Sequence, residues 1–424
     1  MKEQGCVVVI CGHGIGDPLV STLMLDYAFR LQEPAEDKGR PMLFFTEESD
    51  TAVLDAGLAE RMREAGITWV PLRYHLAGPQ FLQRLRNAAV ILTKGRSFAK
   101  GNRPATVIGF LSMAGSYASL LRSLGFKRFI LVSFEPHSRY MEELGVWRKG
   151  SFKVKLAAWF ERRQVRNADY LISPTRAGVA YAEQMGSRAH VAIQGVTVDV
   201  QANARREQAG RGMRERLGLG GKVVLAYAGK FNGLYYSEAD YVRFMAATCA
   251  MDDRVHHLVI TFPEHASAIR AAASGMKLDG RFTLLDPVTP QDLPSYLSAS
   301  DIGVLAVPPT PSQVYRTPVK SALYWAAGLP MIIPEGVSDD WWIVRDRGLG
   351  LVVPCLGQVP EEGFKGLVAE VAGPGVGRLR ERCIQTAMEL RDTAAMVRLL
   401  RAALSGEWAE QAAEGAERLP PVQP

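Results

Sequence analysis

Short apolar runs alternate with longer amphipathic stretches over most of this chain. CVVVIC at Cys6–Cys11, MLFFT at Met42–Thr46 and FILVSF at Phe129–Phe134 are apolar almost without interruption. Runs of this kind mark strands buried on both faces, as a parallel sheet requires, and not strands with one wet face. Further strands are predicted at Ile67–Pro71, Thr106–Phe110, Tyr170–Ser173 and His190–Ile193, with helices between them, for example at Leu19–Leu31 and Ala52–Ala65. The alternation pauses across Asp199–Gly221, a polar stretch rich in Arg, Gln, Gly and Glu. It resumes with strands predicted at Val223–Gly229, His257–Phe262, Arg281–Leu285, Ile302–Val307, Met331–Pro334 and Leu351–Val353. Helices fit between these at Ser237–Met251, Glu264–Ser274, Pro290–Ser298 and Pro318–Ala327.

Strand–helix alternation repeated on both sides of a polar pause predicts two consecutive doubly wound domains. The expected fold class is therefore α/β, two Rossmann-like doubly wound domains facing a cleft. The length agrees, since 424 residues exceed what one hydrophobic core of about 250–300 residues accommodates. The domains are expected at 1–205 and 206–375. A terminal helix at 376–404 (Gly377–Leu404) has no strand to cross to and is expected to pack back towards the first domain. The polar tail 405–424 is expected to be flexible.

Composition narrows the class. The five cysteines are scattered and form no CxxC pair, which points to neither a disulfide framework nor a zinc site and fits a reducing cytoplasm. The N-terminus lacks the features of a secretory signal. The longest uncharged run, Ala105–Leu121, is interrupted by Gly and Ser and reads as a buried strand leading into a helix. A soluble, cytoplasmic protein is expected.

Charge is unevenly spread. Between Glu64 and Glu135 there are ten basic residues and no acidic one. Trp147–Arg166 mixes seven basic residues with Trp147, Phe152, Leu156, Trp159 and Phe160. Basic residues beside large apolar ones can bind an anionic membrane surface, and a core-facing helix with a solvated basic face reads equally well. No nucleic-acid-binding module accompanies the charge, so no nucleic-acid partner is expected.

Candidate chemistry lies at strand ends. The loop CGHGIGDP after the first strand places Gly12, Gly14, Ile15 and Gly16 where backbone N–H groups can approach a ligand. Its spacing is GxGxG and not the GxGxxG of a dinucleotide fold. FEPHSRY follows the strand ending at Phe134, so Glu135 and His137 are placed to face a cleft, His137 as a general base and Glu135 orienting it. His13, in the glycine loop, competes for that role. In the second half, AYAGKFNG places Gly229 and Lys230 at the end of a strand, where a lysine can neutralise a diphosphate. In YRTPVKSALYWAAGLP, Thr317 suits an N-cap and Pro318 the first helical position. The helix N-terminus favours a phosphate, with Arg316 and Lys320 flanking it. No Asp-x-Asp triplet, GxSxG elbow or P-loop occurs, so no metal and no cofactor are expected.

Several of these segments resemble, in order, landmarks of the GT-B fold glycosyltransferases, particularly glycosyltransferase family 4. ADYLISPTRAGVAYAEQMG followed by HVAIQGVTVD is similar to the segment that ends that family's first domain, with Gly195 and Val196 at the motif. AYAGKF looks like its entry to the donor domain, with Lys230 in place of a phosphate-binding arginine. FTLLDPVTPQDLPSYLSASDIGVLAV and TPVKSALYWAAGLPMIIPEGVSDDWWIV resemble the two stretches that follow. The resemblance covers about residues 165–355. Two positions depart from it: Leu323 stands where the family places a ribose-gripping glutamate, and Tyr235 where a second basic residue is usual.

The resemblance implies a glycosyltransferase that moves a sugar from a nucleotide-diphospho-sugar to an acceptor hydroxyl on a glycan, polysaccharide or lipid-linked intermediate, without bound metal. It places the donor on the second domain and the acceptor on the basic first domain, peripherally at a membrane. A non-catalytic paralogue that binds a nucleotide-sugar or a partner, or a sugar-nucleotide epimerase of the same fold, stays open beside it.

Overall fold

The computed structural model describes residues 5–33, 40–49, 53–74, 80–132 and 135–408. Of these, the residues up to Gly195 pack with those from Thr393 onward as one unit, and Val196–Asp392 form a second.

The first unit is built on seven strands: β1 (Cys6–Cys11), β2 (Met42–Ser49), β3 (Ile67–Tyr74), β4 (Ala105–Phe110), β5 (Arg128–Val132), β6 (Tyr170–Ser173) and β7 (His190–Ile193). They form one parallel sheet in the order β3-β2-β1-β4-β5-β6-β7. The second has six: β8 (Val223–Ala228), β9 (Val255–Ile260), β10 (Phe282–Leu285), β11 (Ile302–Val304), β12 (Met331–Pro334) and β13 (Gly350–Val353). Their order is β10-β9-β8-β11-β12-β13, again parallel throughout. The two sheets share one winding rule, in which the strand order reverses beside the first strand of each unit.

The unbroken apolar runs behave as expected: every residue of β1 and β4 is buried. The uncharged run from Ala105 divides into β4 and the helix Leu111–Ser123. Predicted and observed bounds part company mainly at strand ends. β2 and β3 run on to Ser49 and Tyr74, and β11 stops at Val304. β5 stops at Val132, and Ser133 and Phe134 lie outside the described residues. The helix expected from Leu19 opens with a π-helical turn, Val20–Met24, before Leu25–Gln32.

The break between the units falls at Gly195–Val196, and the polar pause contains a helix, Glu207–Arg216, that belongs to the second unit. The single terminal helix expected at 376–404 is two, Val376–Leu390 and Thr393–Ser405. Between them Arg391 and Asp392 leave the helical path. The Arg391 carbonyl accepts the Val198 N–H at 2.8 Å, and Val198 bridges Asp392 in parallel. The first of the two helices belongs to the second unit and the second to the first. The expected flexible tail lies outside the described residues from Ala409 onward.

Candidate functional site

In the second unit the strand order reverses at β8, so the crevice beyond the carboxyl ends of β8 and β11 is where a ligand of such a sheet sits. Gly229 follows β8 with φ +156°, donates its N–H to Ile260 O at 2.9 Å and accepts from Thr261 Oγ1 at 2.7 Å. Lys230 is exposed, with its amine 5.5 Å from the Phe262 ring centroid, and its carbonyl accepts the Tyr227 hydroxyl. The loop then turns through Asn232 in the left-handed region, and Tyr236 N–H donates to Ala306 O at 3.3 Å. That last bond ties the loop after β8 to the segment after β11.

From the other side comes the helix Val319–Ala326. Gly303 in β11 admits it: a Cβ there would stand 2.4 Å from the Tyr324 ring. The Tyr324 hydroxyl donates to Val304 O at 3.2 Å, which locks the helix to its strand. Lys320, in the first turn, is 7% exposed. Its Nζ lies 4.4 Å from the Tyr235 ring centroid and 5.4 Å from that of Tyr227. A Cβ on Gly229 would sit 2.8 Å from the same nitrogen. Among the described residues the Lys320 amine makes no ion pair or hydrogen bond, and its nitrogen keeps a narrow solvent-accessible edge. Burying an ammonium without an anion is costly, and two tyrosine faces offset only part of that cost, roughly 1–2 kcal/mol.

The start of this helix differs from expectation. Its N-cap is Pro318, in extended geometry with no side-chain cap, and not Thr317. The Thr317 hydroxyl instead meets Ser338 Oγ at 3.2 Å, with Ser338 at φ +62°. With proline at the N-cap, no N-cap side chain is available to close the first helical turn. The first-turn amides therefore lack a side-chain acceptor from the N-cap. Arg316 is half-buried beside Thr317. The structure thus brings Gly229 and Lys320 together, with Lys230 and Thr317 next along the chain.

Sequence reasoning missed the aromatic floor under Lys320 and a polar group on the same loop. Glu238 accepts from both Asn232 (2.8 and 2.9 Å) and His265 Nδ1 (2.6 Å). Glu238 and His265 start different helices, so no local spacing could have paired them.

In the first unit the glycine loop does not offer all its amides to a ligand. Ile15 N–H donates to the buried Glu48 Oε1 at 2.6 Å, and a Cβ on Gly14 would press on Glu48 Oε2 at 3.0 Å. Gly16 faces open space. His13 Nδ1 stands 3.5 Å from Asp17 Oδ2. That hydrogen bond raises the imidazole pKa, burial opposes it, and the Asp17, Glu47 and Glu135 charges add to it. Burial pushes the Glu47 carboxyl up, against Arg84 and His13. Glu135 therefore shares an electrostatic neighbourhood with His13, Asp17 and Glu47. His137 opens the short helix His137–Glu143 and packs its ring edge-on to Trp147 at 5.4 Å and beside Tyr140 at 5.8 Å. Behind it the buried Glu161 accepts from Ser138 N and Oγ, both at 2.7 Å. Among the described residues no three His, Cys, Asp or Glu side chains are grouped to hold a metal ion. Among them, too, no helix is long and apolar enough to cross a membrane.

Residues 24–194 match the family described as the glycosyl transferase 4-like domain. Among curated proteins no sequence matches significantly. Solved structures are similar over 95% of this chain. HepE of Anabaena in complex with UDP has a TM-score of 0.68 at 10% identity, over 100% of its own chain. Sucrose-phosphate synthase of Thermosynechococcus elongatus has 0.68 at 16% identity over 100% of its chain. The lipopolysaccharide outer core galactosyltransferase WaaB, in its apo form, has 0.62 at 14% identity over 99%.

Proposed function

Taking as premise that residues 24–194 form a glycosyl transferase 4-like domain in a chain of GT-B fold, we propose that this glycosyltransferase uses a nucleotide-diphospho-sugar donor. The observation that carries the reading is the Lys320 amine, buried beside Gly229 with no anion of the protein's own. A donor diphosphate supplies that anion. In this reading Lys320 and the first-turn amides of Val319–Ala326 grip the diphosphate, and Lys230 and Arg316 add charge from the flanks. The same cations stabilise the charge that grows on the leaving nucleoside diphosphate as the glycosidic bond breaks, and they do so without metal. The complex of HepE with UDP-glucose supports a nucleotide-sugar donor for this fold.

The acceptor is a hydroxyl of a glycan or lipid-linked intermediate, received by the first unit. Glu135 and either His137 or His13 orient that hydroxyl and take its proton. The first unit also carries the features of peripheral attachment to an anionic membrane: Phe152 is 78% and Trp159 53% exposed on a helix with five Lys or Arg side chains.

Titration with UDP, GDP, dTDP, ADP and CMP tests the donor. Binding of one nucleotide that weakens about tenfold or more in Lys320→Ala is expected. Failure of all five to bind removes the reading. Leu323 favours a second one, since an apolar group cannot hold ribose hydroxyls and a chain that binds nucleotide without turnover fits that loss. Nucleotide binding with no transfer to any glycan or lipid-linked acceptor selects it.

A further inference from the structure

The first unit has a cavity of about 650 Å³ at the edge of its sheet opposite the strands' carboxyl ends. Arg128, Tyr170 and His190 are the first residues of β5, β6 and β7, and Arg122 and Arg166 come from the last turns of the helices Leu111–Ser123 and Phe152–Asn167. Lys127 and Arg188 complete the basic lining, against Asp169 as the one acid. Residues of both basic stretches thus line one hollow, Arg122, Lys127 and Arg128 from the first and Arg166 from the second.

Charge is not cancelled inside it. Asp169 is spent on Arg122, bidentate at 2.8 and 3.0 Å, and on the Phe129 N–H at 2.7 Å. Arg128 is held by neutral carbonyls at the end of Thr393–Ser405, donating to Leu404 O at 2.8 Å and Ser405 O at 3.2 Å. Arg166 Nε donates to Met185 O at 2.9 Å, at the end of Arg176–Gln184. These bonds fix both guanidinium planes and leave each with donors unspent, while Lys127 and Arg188 have no partner among the described residues. Arg128 and Arg166, pre-oriented by helix C-terminal carbonyls, and the unpartnered Lys127 and Arg188 supply charge for phosphate oxygens, the guanidinium forks adding matching geometry. Beside them His190 stacks on Tyr170 (centroids 5.5 Å apart), which Trp408 supports at a tilt of 49° (4.9 Å), so two lining rings offer surface for the organic part of a ligand.

We infer that this cavity is a second anion site, which binds a phosphate-bearing small molecule independently of the donor crevice. The phosphate belongs either to a free phosphorylated metabolite or to a phospholipid headgroup. Calorimetric titration of the full-length Lys320→Ala protein with inorganic pyrophosphate and, separately, with glycerophosphoglycerol tests it. Binding of pyrophosphate at one site, weakened roughly tenfold or more by Lys127→Glu/Arg188→Glu, is the expected result and marks a free metabolite. Binding of glycerophosphoglycerol with the same dependence upholds the site and marks a headgroup. Both substituted side chains are exposed, so the fold should survive, and a control reversal, Lys153→Glu/Lys155→Glu, carries the same charge change outside the cavity. No binding of either probe, or equal weakening by both reversals, overturns the inference. UDP titration of the Lys127→Glu/Arg188→Glu chain reports on the donor crevice alone, so the two readings can fail separately.

Discussion

The Lys320 amine occupies the space that a side chain at position 229 would need: a Cβ on Gly229 would stand 2.6 Å from its Cε and 2.8 Å from its Nζ. This pairing couples the donor reading to stability. Lys320→Met keeps an unbranched side chain beside Tyr227 and Tyr235 and removes an unpaired charge. The variant is expected to be at least as stable as the parent, by up to about 1 kcal/mol, while nucleotide affinity falls about tenfold or more. Thermal melts with and without nucleotide check this. A less stable variant that binds nucleotide normally would show that Lys320 is a packing residue.

Gly229→Ala acts on the same contact from the other side. At φ +156° a side chain strains the backbone, and the new methyl displaces the lysine tip. A loss of about 1–3 kcal/mol in stability is expected, with weaker nucleotide binding. Denaturant unfolding and calorimetry report the two effects separately.

Glu161 predicts a pH dependence in the first unit. Burial raises its pKa from 4.5 to about 7, Glu135 pushes the same way, and the hydrogen bonds from Ser138 and the Arg139 charge oppose the rise. The folded state therefore holds a proton between pH 4.5 and 7 that the unfolded state has released. Stability contributed by this group falls as pH rises through that window, by on the order of 3 kcal/mol. Glu161→Gln retains partners for Ser138 N and Oγ and loses the titration. Relative to the parent, its melting temperature should gain between pH 5 and pH 8, and parallel curves would sink the assignment.

Asp340 and Arg391 form an ion pair in the second unit, 0% and 4% exposed, with the guanidinium 5.6 Å from the Trp325 ring. Asp340→Ala leaves a buried cation and should cost about 3–5 kcal/mol. Asp340→Ala/Arg391→Met removes both charges and should cost less than the single substitution. Equal or larger loss in the double variant would mean that Arg391 serves chiefly by packing.

The thirteen strands among the described residues and their grouping as seven and six were legible from apolar runs, most plainly where a strand such as β1 or β4 is buried on both faces and so apolar at consecutive positions. So was the concentration of glycine, lysine and arginine at strand ends, where a parallel sheet receives ligands. Helix starts were less legible. Thr317 has the chemistry of an N-cap, but Ser338, twenty-one residues away, takes its hydroxyl, and Pro318 caps instead. The glycine loop reads as a row of free amides until Glu48, on the next strand, accepts the Ile15 N–H. His13 joins Asp17, Glu47 and Glu135 only through the sheet, whereas His137 turns its ring to Trp147. In each case the deciding partner comes from another element, where linear spacing carries no information. Periodicity records which face of a segment is buried, and so it sets the architecture. Which polar groups stay unspent depends on neighbours brought together by folding, and the free amine of Lys320, on which the proposed activity rests, is visible only once Gly229, Tyr227 and Tyr235 surround it.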